Sequence, residues 1–209
     1  MEEIKLLFRD KTLIEKIQKK LPELFQIAEI ESSRAGKIGM EVGTIRERII
    51  VALLLHVFNS DNVNTNIPTT EAEVDVRLFN YPISIKTFTG KSWCSVKLIW
   101  TVDPSMALEF QRTYNPSCGM ILVQINWNGR GNLYYFTLES QINILNAMGR
   151  DHYIKLPKQG TNPRGVEISA EALELLSQQR DTLNMNIPWI RKEIKVNTFE
   201  RWVDLWATA

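Results

Sequence analysis

An acid, a hydroxyl and an amine stand close together in the middle of the chain. Asp75 lies in EVDVRLF and Lys86 in PISIKTFT, with ten residues between them across a tight connection at Asn80-Tyr81, and Ser84 stands two positions before the lysine. Both stretches alternate polar and apolar residues, the period of two expected of strands. Val74, Val76 and Leu78 fall on one side of the first, with Glu71, Glu73, Asp75 and Arg77 on the other; in the second, Ile83 and Ile85 oppose Ser84, Lys86 and Phe88. Side chains two apart in a strand share a face, so Ser84 and Lys86 project together and an antiparallel neighbour sets Asp75 beside them.

Phosphodiester hydrolysis is a chemistry that uses such a grouping. Mg²⁺ takes one or two carboxylates and carbonyl oxygens and keeps the rest of its shell as water. Asp75 can supply the carboxylate and the carbonyl of Ile85 a neutral oxygen, while Lys86 orients the attacking water and offsets charge in the transition state. A solvent-facing salt bridge is the ordinary explanation of any single Asp–Lys pair across a hairpin. Here the alternation of both strands, the following Thr87-Phe88-Thr89 and a preceding helix that carries Glu47 point together to the chemical explanation.

Elements that would position these groups can be read on either side. Apolar residues from Ile4 to Phe25 recur at spacings of three and four, predicting one or two amphipathic helices broken near Pro22. After the polar, basic stretch SSRAGKIG, the run EVGTIRERIIVALLLHVF predicts a long helix. TEAEVDVRLF and PISIKTFT form a hairpin-like pair of strands, WCSVKLIWTV a third strand, and Asp103-Pro104 caps a helix over PSMALEFQRTY. GMILVQINW and NLYYFTLE read as strands across the turn NGRGN. From Ser140 the order is helix, short strand around YIKL, the loop KQGTNPRG and two final helices. The expected fold class is α/β (α+β), a single domain built on a central mixed sheet flanked by helices.

EVDV followed by ISIKT resembles the core of the PD-(D/E)XK nuclease superfamily, and within it the type II restriction endonucleases. That resemblance covers Glu41 to Trp127 and implies a restriction-endonuclease-like core: a helix, three antiparallel strands, a helix and a further strand. Residues 1–40 then form an N-terminal helical segment, 41–127 the catalytic core and 128–209 a recognition and dimerisation region. The implied activity is Mg²⁺-dependent cleavage of double-stranded DNA at a short palindromic sequence by a homodimer, with no small-molecule cofactor. Two departures stand out: Val74 occupies the place of a common proline, and Ser84 replaces the acidic residue of the acid-X-Lys triplet. Glu47, Glu73 and Glu109 are candidates for the missing charge. Glu47 is preferred, since Ile50, Val51, Leu54 and Phe58 share its helical stripe and the family commonly places a glutamate on the corresponding helix. The implied catalytic set is Asp75, Lys86, Ser84 and Glu47, with Asp75, Ile85 and Glu47 on the metal. A structure-specific repair or junction nuclease is an alternative, and the neutral Ser84 keeps open a non-catalytic DNA-binding module.

For the DNA partner, four loops mix glycine with amide or cationic side chains. They carry Arg34 and Lys37; Lys91 and Ser92; Asn126, Asn128 and Arg130; and Lys158, Gln159, Asn162 and Arg164. Counts of 25 Lys+Arg and 24 Asp+Glu neither demand nor exclude such a partner. Two cysteines, Cys94 and Cys118, make neither a disulfide framework nor a zinc cage, and no stretch is long and apolar enough for a membrane span. The expected setting is therefore cytoplasmic. His56 is expected to be a hydrogen-bonded core residue. In the C-terminal segment that carries Trp189, Trp202 and Trp206, Ile190, Ile194, Trp202, Val203 and Trp206 are expected to pack as a helix face, in the core or at a dimer contact.

Overall fold

The computed structural model describes residues 2–35, 37–157 and 165–208. A 3₁₀ turn (Glu3–Lys5) and α1 (Leu6–Arg9) lead into α2 (Lys11–Glu31), whose N-cap Asp10 accepts a bond from the Leu13 N–H at 2.8 Å. The break thus falls at Asp10, and the break expected at Pro22 does not occur. Pro22 removes one hydrogen bond and costs about 3 kcal/mol, but Ile17, Leu21, Phe25 and Ala28 lie buried along the same stripe. At roughly 1.5–3 kcal/mol for each large side chain, their burial outweighs the proline.

A hairpin, β1 (Ser33–Arg34) with β2 (Lys37–Ile38), stands where a loop was expected, followed by α3 (Val42–Phe58) and β3 (Val63–Asn64). Next come β4 (Val76–Leu78) and β5 (Tyr81–Thr89). Leu78 pairs with Tyr81, so the turn consists of Phe79 and Asn80, both left-handed with φ of 48° and 67°. Two positive φ values give the turn whose twist matches the flanking strands. The chain continues through β6 (Val96–Ile99), α4 (Pro104–Thr113), β7 (Gly119–Ile125), β8 (Gly129–Phe136), α5 (Leu138–Met148) and α6 (Arg150–Tyr153). It ends with β9 (Ile154–Lys155), β10 (Val166–Ile168), α7 (Ala170–Ser177), β11 (Leu183–Trp189) and α8 (Glu200–Ala207). Asp103 caps α4 as expected, accepting from the Ser105 N–H at 2.7 Å.

Six strands form a mixed sheet in the order β11-β8-β7-β5-β4-β3, parallel only between β5 and β7. Ile83, Ile85, Ile121 and Val123 face a core under α2 and α3. Phe88, Met120, Leu122 and Phe136 face a second core under α4, α5 and α7. Layers of helix on both faces explain why all seven residues of β7 are buried. Among the described residues, no helix is long and apolar enough to cross a membrane.

Several expectations are corrected. TEAEVDVRLF is a strand only from Val76. Before it the backbone turns, with the Val74 N–H donating to the Glu71 carbonyl at 3.0 Å, a bond that proline could not make there. Glu73 is therefore not on a strand face beside Asp75; its carboxylate accepts from the Tyr114 hydroxyl at 2.7 Å and the Ser117 hydroxyl at 2.6 Å. The third strand, β6, leaves the main sheet and pairs with β10, which also pairs with β9. The turn after β7 spans 126–128, and β8 already begins at Gly129. LNMNIPW is an edge strand rather than part of a final helical pair, with Met185, Ile187 and Trp189 buried in alternation. That alternation separates Trp189, a core residue, from Ile190, Trp202, Val203 and Trp206, which are exposed. His56 is exposed too, with its ring 2.6 Å from Lys16 Nζ.

One buried ionic network ties the helices to the sheet. Glu29, on α2 and only 3% exposed, accepts from Arg46 of α3 at 2.5 Å, the Trp127 indole N–H at 2.8 Å and Arg191 beyond β11 at 2.6 Å. Arg191 lies over the Trp127 ring at 4.2 Å, and Trp127 meets Trp189 edge-on at 5.3 Å. Removing one member of a buried pair strands its partner at a cost of about 3–5 kcal/mol. Glu29→Gln is expected to lower the melting temperature by on the order of 10 °C, by circular dichroism. A shift within about 2 °C would show that the network contributes little.

Candidate active site

Asp75 sits in the bend immediately before β4, and its backbone N–H donates to the Ile83 carbonyl at 2.9 Å. Beyond Val76↔Ile83, β5 has no partner on that edge within the main sheet, although it runs on to Thr89 and pairs with β7 on the other. The Ile85 N–H, facing this open edge, donates instead to Asp75 Oδ2 at 2.6 Å. The same oxygen accepts from Lys86 Nζ at 3.1 Å and from the Ser84 hydroxyl at 3.3 Å. Three consecutive residues of β5 thus converge on one carboxylate oxygen. Among the described residues, Asp75 Oδ1 accepts no hydrogen bond.

The expected trio of Asp75, Ser84 and Lys86 is brought together, with distinct environments. Lys86 is mostly buried, Asp75 half-buried and Ser84 fully buried. Ser84 therefore faces Asp75 and the protein interior, where it braces the carboxylate. A strand residue carries its N–H and C=O on the same edge, so the Ile85 carbonyl looks out beyond the end of β4.

Glu47 approaches this edge from α3. It and Lys86 line one groove of about 600 Å³, together with Thr44, Thr87, Lys97 and Trp100. The open edge explains how residues from opposite faces meet, since α3 packs on the Ile85 face and Lys86 projects from the other. Burial raises the Glu47 carboxyl to about 7; Lys86 pulls it down, and the Asp75 charge adds a smaller upward push. Glu109 is exposed on α4 and does not line the groove.

Two carboxylates, one free Asp75 oxygen and an outward carbonyl suit a hard, oxygen-seeking cation that keeps part of its water shell. Among the described residues there is no group of three His, Cys, Asp or Glu side chains able to hold a metal ion by themselves. The donor set fits Mg²⁺ and not a closed protein cage. These oxygens lie beside the Lys86 ammonium, and together such groups can activate water and offset charge at a phosphodiester.

The expected DNA-contacting residues are dispersed. Arg34 and Lys37 are exposed on the β1–β2 hairpin, Lys91 and Ser92 in the turn after β5, and Asn128 and Arg130 around the start of β8. The Asn126 amide is occupied within its own turn, donating to the Arg130 carbonyl at 3.0 Å. Lys158, Gln159, Asn162 and Arg164 lie outside the described residues. Lys97, whose Nζ lies 3.3 Å above the Trp100 ring in the wall of the groove, was missed in the sequence. The alternation of Val96, Lys97 and Leu98 was the available signal. The Glu29–Arg46 pair was also missed, since a contact between two helices leaves no local pattern.

Comparison with known proteins agrees with this geometry. The model of the family described as "Restriction endonuclease ThaI" matches residues 7–208. A solved structure described as "Restriction endonuclease in complex with substrate DNA" is 53% identical, covering 99% of this chain and 100% of its own, with a TM-score of 0.92. No curated protein matches the chain. With the family model spanning nearly the whole sequence, the chain belongs to the ThaI restriction endonuclease family, and its expected identity as a type II restriction endonuclease holds.

Proposed function

We propose that this site-specific DNA endonuclease cuts double-stranded DNA at a short palindromic sequence, using Mg²⁺ held by Asp75, the Ile85 carbonyl and Glu47. The observation that carries this reading is the convergence of Ser84, Ile85 and Lys86 on Asp75 Oδ2, which aims the second oxygen and the ammonium at one open edge. A bound Mg²⁺ supplies Lewis-acid charge to the scissile phosphate. Lys86 orients the attacking water and neutralises charge as it builds on the phosphoryl oxygens. Ser84 keeps the Asp75 carboxylate in place, and Glu47 supplies the charge that a serine in the triplet does not.

The partner on this reading is double-stranded DNA, in keeping with the substrate DNA held by the 53% identical restriction endonuclease. Arg34, Lys37, Lys91, Asn128 and Arg130 are accessible cations and amides for phosphates and base edges, with Lys158, Gln159, Asn162 and Arg164 assigned the same role from the sequence. A two-fold DNA site calls for a two-fold homodimer. Two unbridged cysteines, Cys94 and Cys118, support a reducing, cytoplasmic setting.

Digestion of plasmid DNA with and without Mg²⁺ tests the reading: discrete fragments only with the metal are expected, and metal-independent cutting would refute the cation site. Lys86→Ala is expected to lower turnover by about 10²–10⁴-fold while DNA affinity changes only slightly. Asp75→Asn should lose metal-dependent cleavage, and a variant with unchanged Mg²⁺ dependence would move the site elsewhere.

Glu47→Gln should cost much more cleavage than Ser84→Ala, because only the first removes a charge near the cation. The converse result, with both variants folded, would assign the water-ordering role to Ser84. Stability separates this from a packing effect. Because the folded-state value near 7 exceeds the ordinary 4.5, the folded protein holds the extra proton between those values, and stability falls as pH rises through the window. Without metal, Glu47→Gln should therefore melt about 2–4 °C above wild type at pH 8, roughly 1 kcal/mol after solvent screening, with no difference near pH 4. Mg²⁺ should raise the wild-type midpoint more than that of the variant.

A further inference from the structure

The C-terminal helix α8 has no buried residue, and its apolar side chains are not scattered. Phe199, Trp202, Val203 and Trp206 recur at intervals of three and four, with Leu205 at the margin, while Glu200, Arg201 and Asp204 occupy the opposite side. All five apolar residues are more than half exposed, Trp206 by 85%. An eight-residue helix is marginal in water by itself, and its stability normally comes from packing of its apolar face. Among the described residues the contact of α8 with the rest of the chain is confined to its start, where Phe199 and Trp202 line a groove with Ile30 and Arg34 around the end of α2, and no residue of the helix is buried by it.

The attachment of this segment points the same way. Gln26 grips the backbone of Lys192 through both its N–H, at 3.0 Å, and its carbonyl, at 2.6 Å. Beyond that clamp, among the described residues, every hydrogen bond made by 193–208 stays within the segment. Past the groove at its start, the helix projects as an arm that leaves Val203, Leu205 and Trp206 exposed.

We propose that α8 forms the interface of a two-fold homodimer, its apolar stripe covered by the same stripe of a second copy; this rests on the homodimer reading given above. Area supports that occupant. With aromatic side chains presenting roughly 150–250 Å² each, the five residues offer on the order of 700 Å² per copy, close to the ~800 Å² a side of a specific interface. An isologous contact buries one patch on both partners and closes without leaving an apolar surface exposed. DNA is the wrong occupant: the stripe carries no cation, and Glu200 and Asp204 outnumber Arg201 on the helix's polar side.

Light scattering on the full chain during size exclusion tests the assignment. Wild type is expected to run at twice the 24.2 kDa chain mass. Trp202→Lys with Trp206→Lys should run as a monomer at the same micromolar concentration, with an unchanged far-ultraviolet spectrum, since both side chains are more than half exposed and neither belongs to a buried core. A wild-type monomer would overturn both the dimer and the interface. A dimeric wild type with an equally dimeric, folded double variant would overturn the interface alone. Hydrogen exchange on wild type gives a check that needs no variant: amides of residues 200–207 should be protected in the dimer and lose protection on dilution to monomer. Free exchange of those amides in a dimeric sample would likewise place the interface elsewhere.

Discussion

A strand whose partner stops halfway along it must satisfy its remaining backbone groups in some other way, because an orphaned N–H in a half-buried position costs as much as a lost hydrogen bond. β5 meets this problem at Ile85, and the Asp75 carboxylate solves it at 2.6 Å. The geometry of the site descends from that one bond. It brings the carboxylate within reach of Lys86 and Ser84 on the neighbouring positions, and leaves the second carboxylate oxygen and the Ile85 carbonyl facing outward. Had β4 continued to pair, the carboxylate would have been displaced by backbone and the edge closed.

Glu47 reaches the same edge only if α3 is held at one rotation about its axis. Its sequence neighbour Arg46 supplies the hold, turned inward to Glu29 while Glu47 faces the groove. A helix turns about 100° per residue, so adjacent positions can serve core and site at once. The network has two guanidinium groups for one carboxylate, and the excess is tolerable because Arg191, unlike Arg46, keeps 42% of its side chain in water. Its contact with Trp127 adds the turn before β8 to the same assembly. The rigid parts behind the site are therefore electrostatic as well as apolar.

The legible parts of the sequence were those with a local period or cap. The pair Asp75 and Lys86, the Asp103 cap, the buried β7 and the long α3 each follow from spacing within a few residues. What was lost depended on distant partners. Glu73 alternates as a strand residue should, yet Tyr114 and Ser117 draw it into a turn. β6 has a strand's composition, and only the course of the chain assigns it to β10 instead of β5. Pro22 carries a reliable local signal that the tertiary burial of α2 overrides. The alternation in LNMNIPW was present, but two asparagines and a proline disguised it; all three sit on the exposed side of an edge strand, where they are tolerated.

Ser84 in the triplet follows from the same geometry. The side chain at this position is fully buried, with its oxygen 3.3 Å from Asp75 Oδ2. A carboxylate there would meet another carboxylate at contact distance in a site shielded from water, and one of the two would have to stay protonated. Serine instead donates to Asp75 and keeps it oriented. On the reading proposed above, the second charge comes across the open edge from Glu47, a group only part-buried and poised near neutrality. Such a carboxyl is only partly ionised at neutral pH, and cation capture would release the proton it still holds. Placing the acid on α3 thus avoids two carboxylates in contact within β5 and lets an occupant of the site shift the ionisation of Glu47.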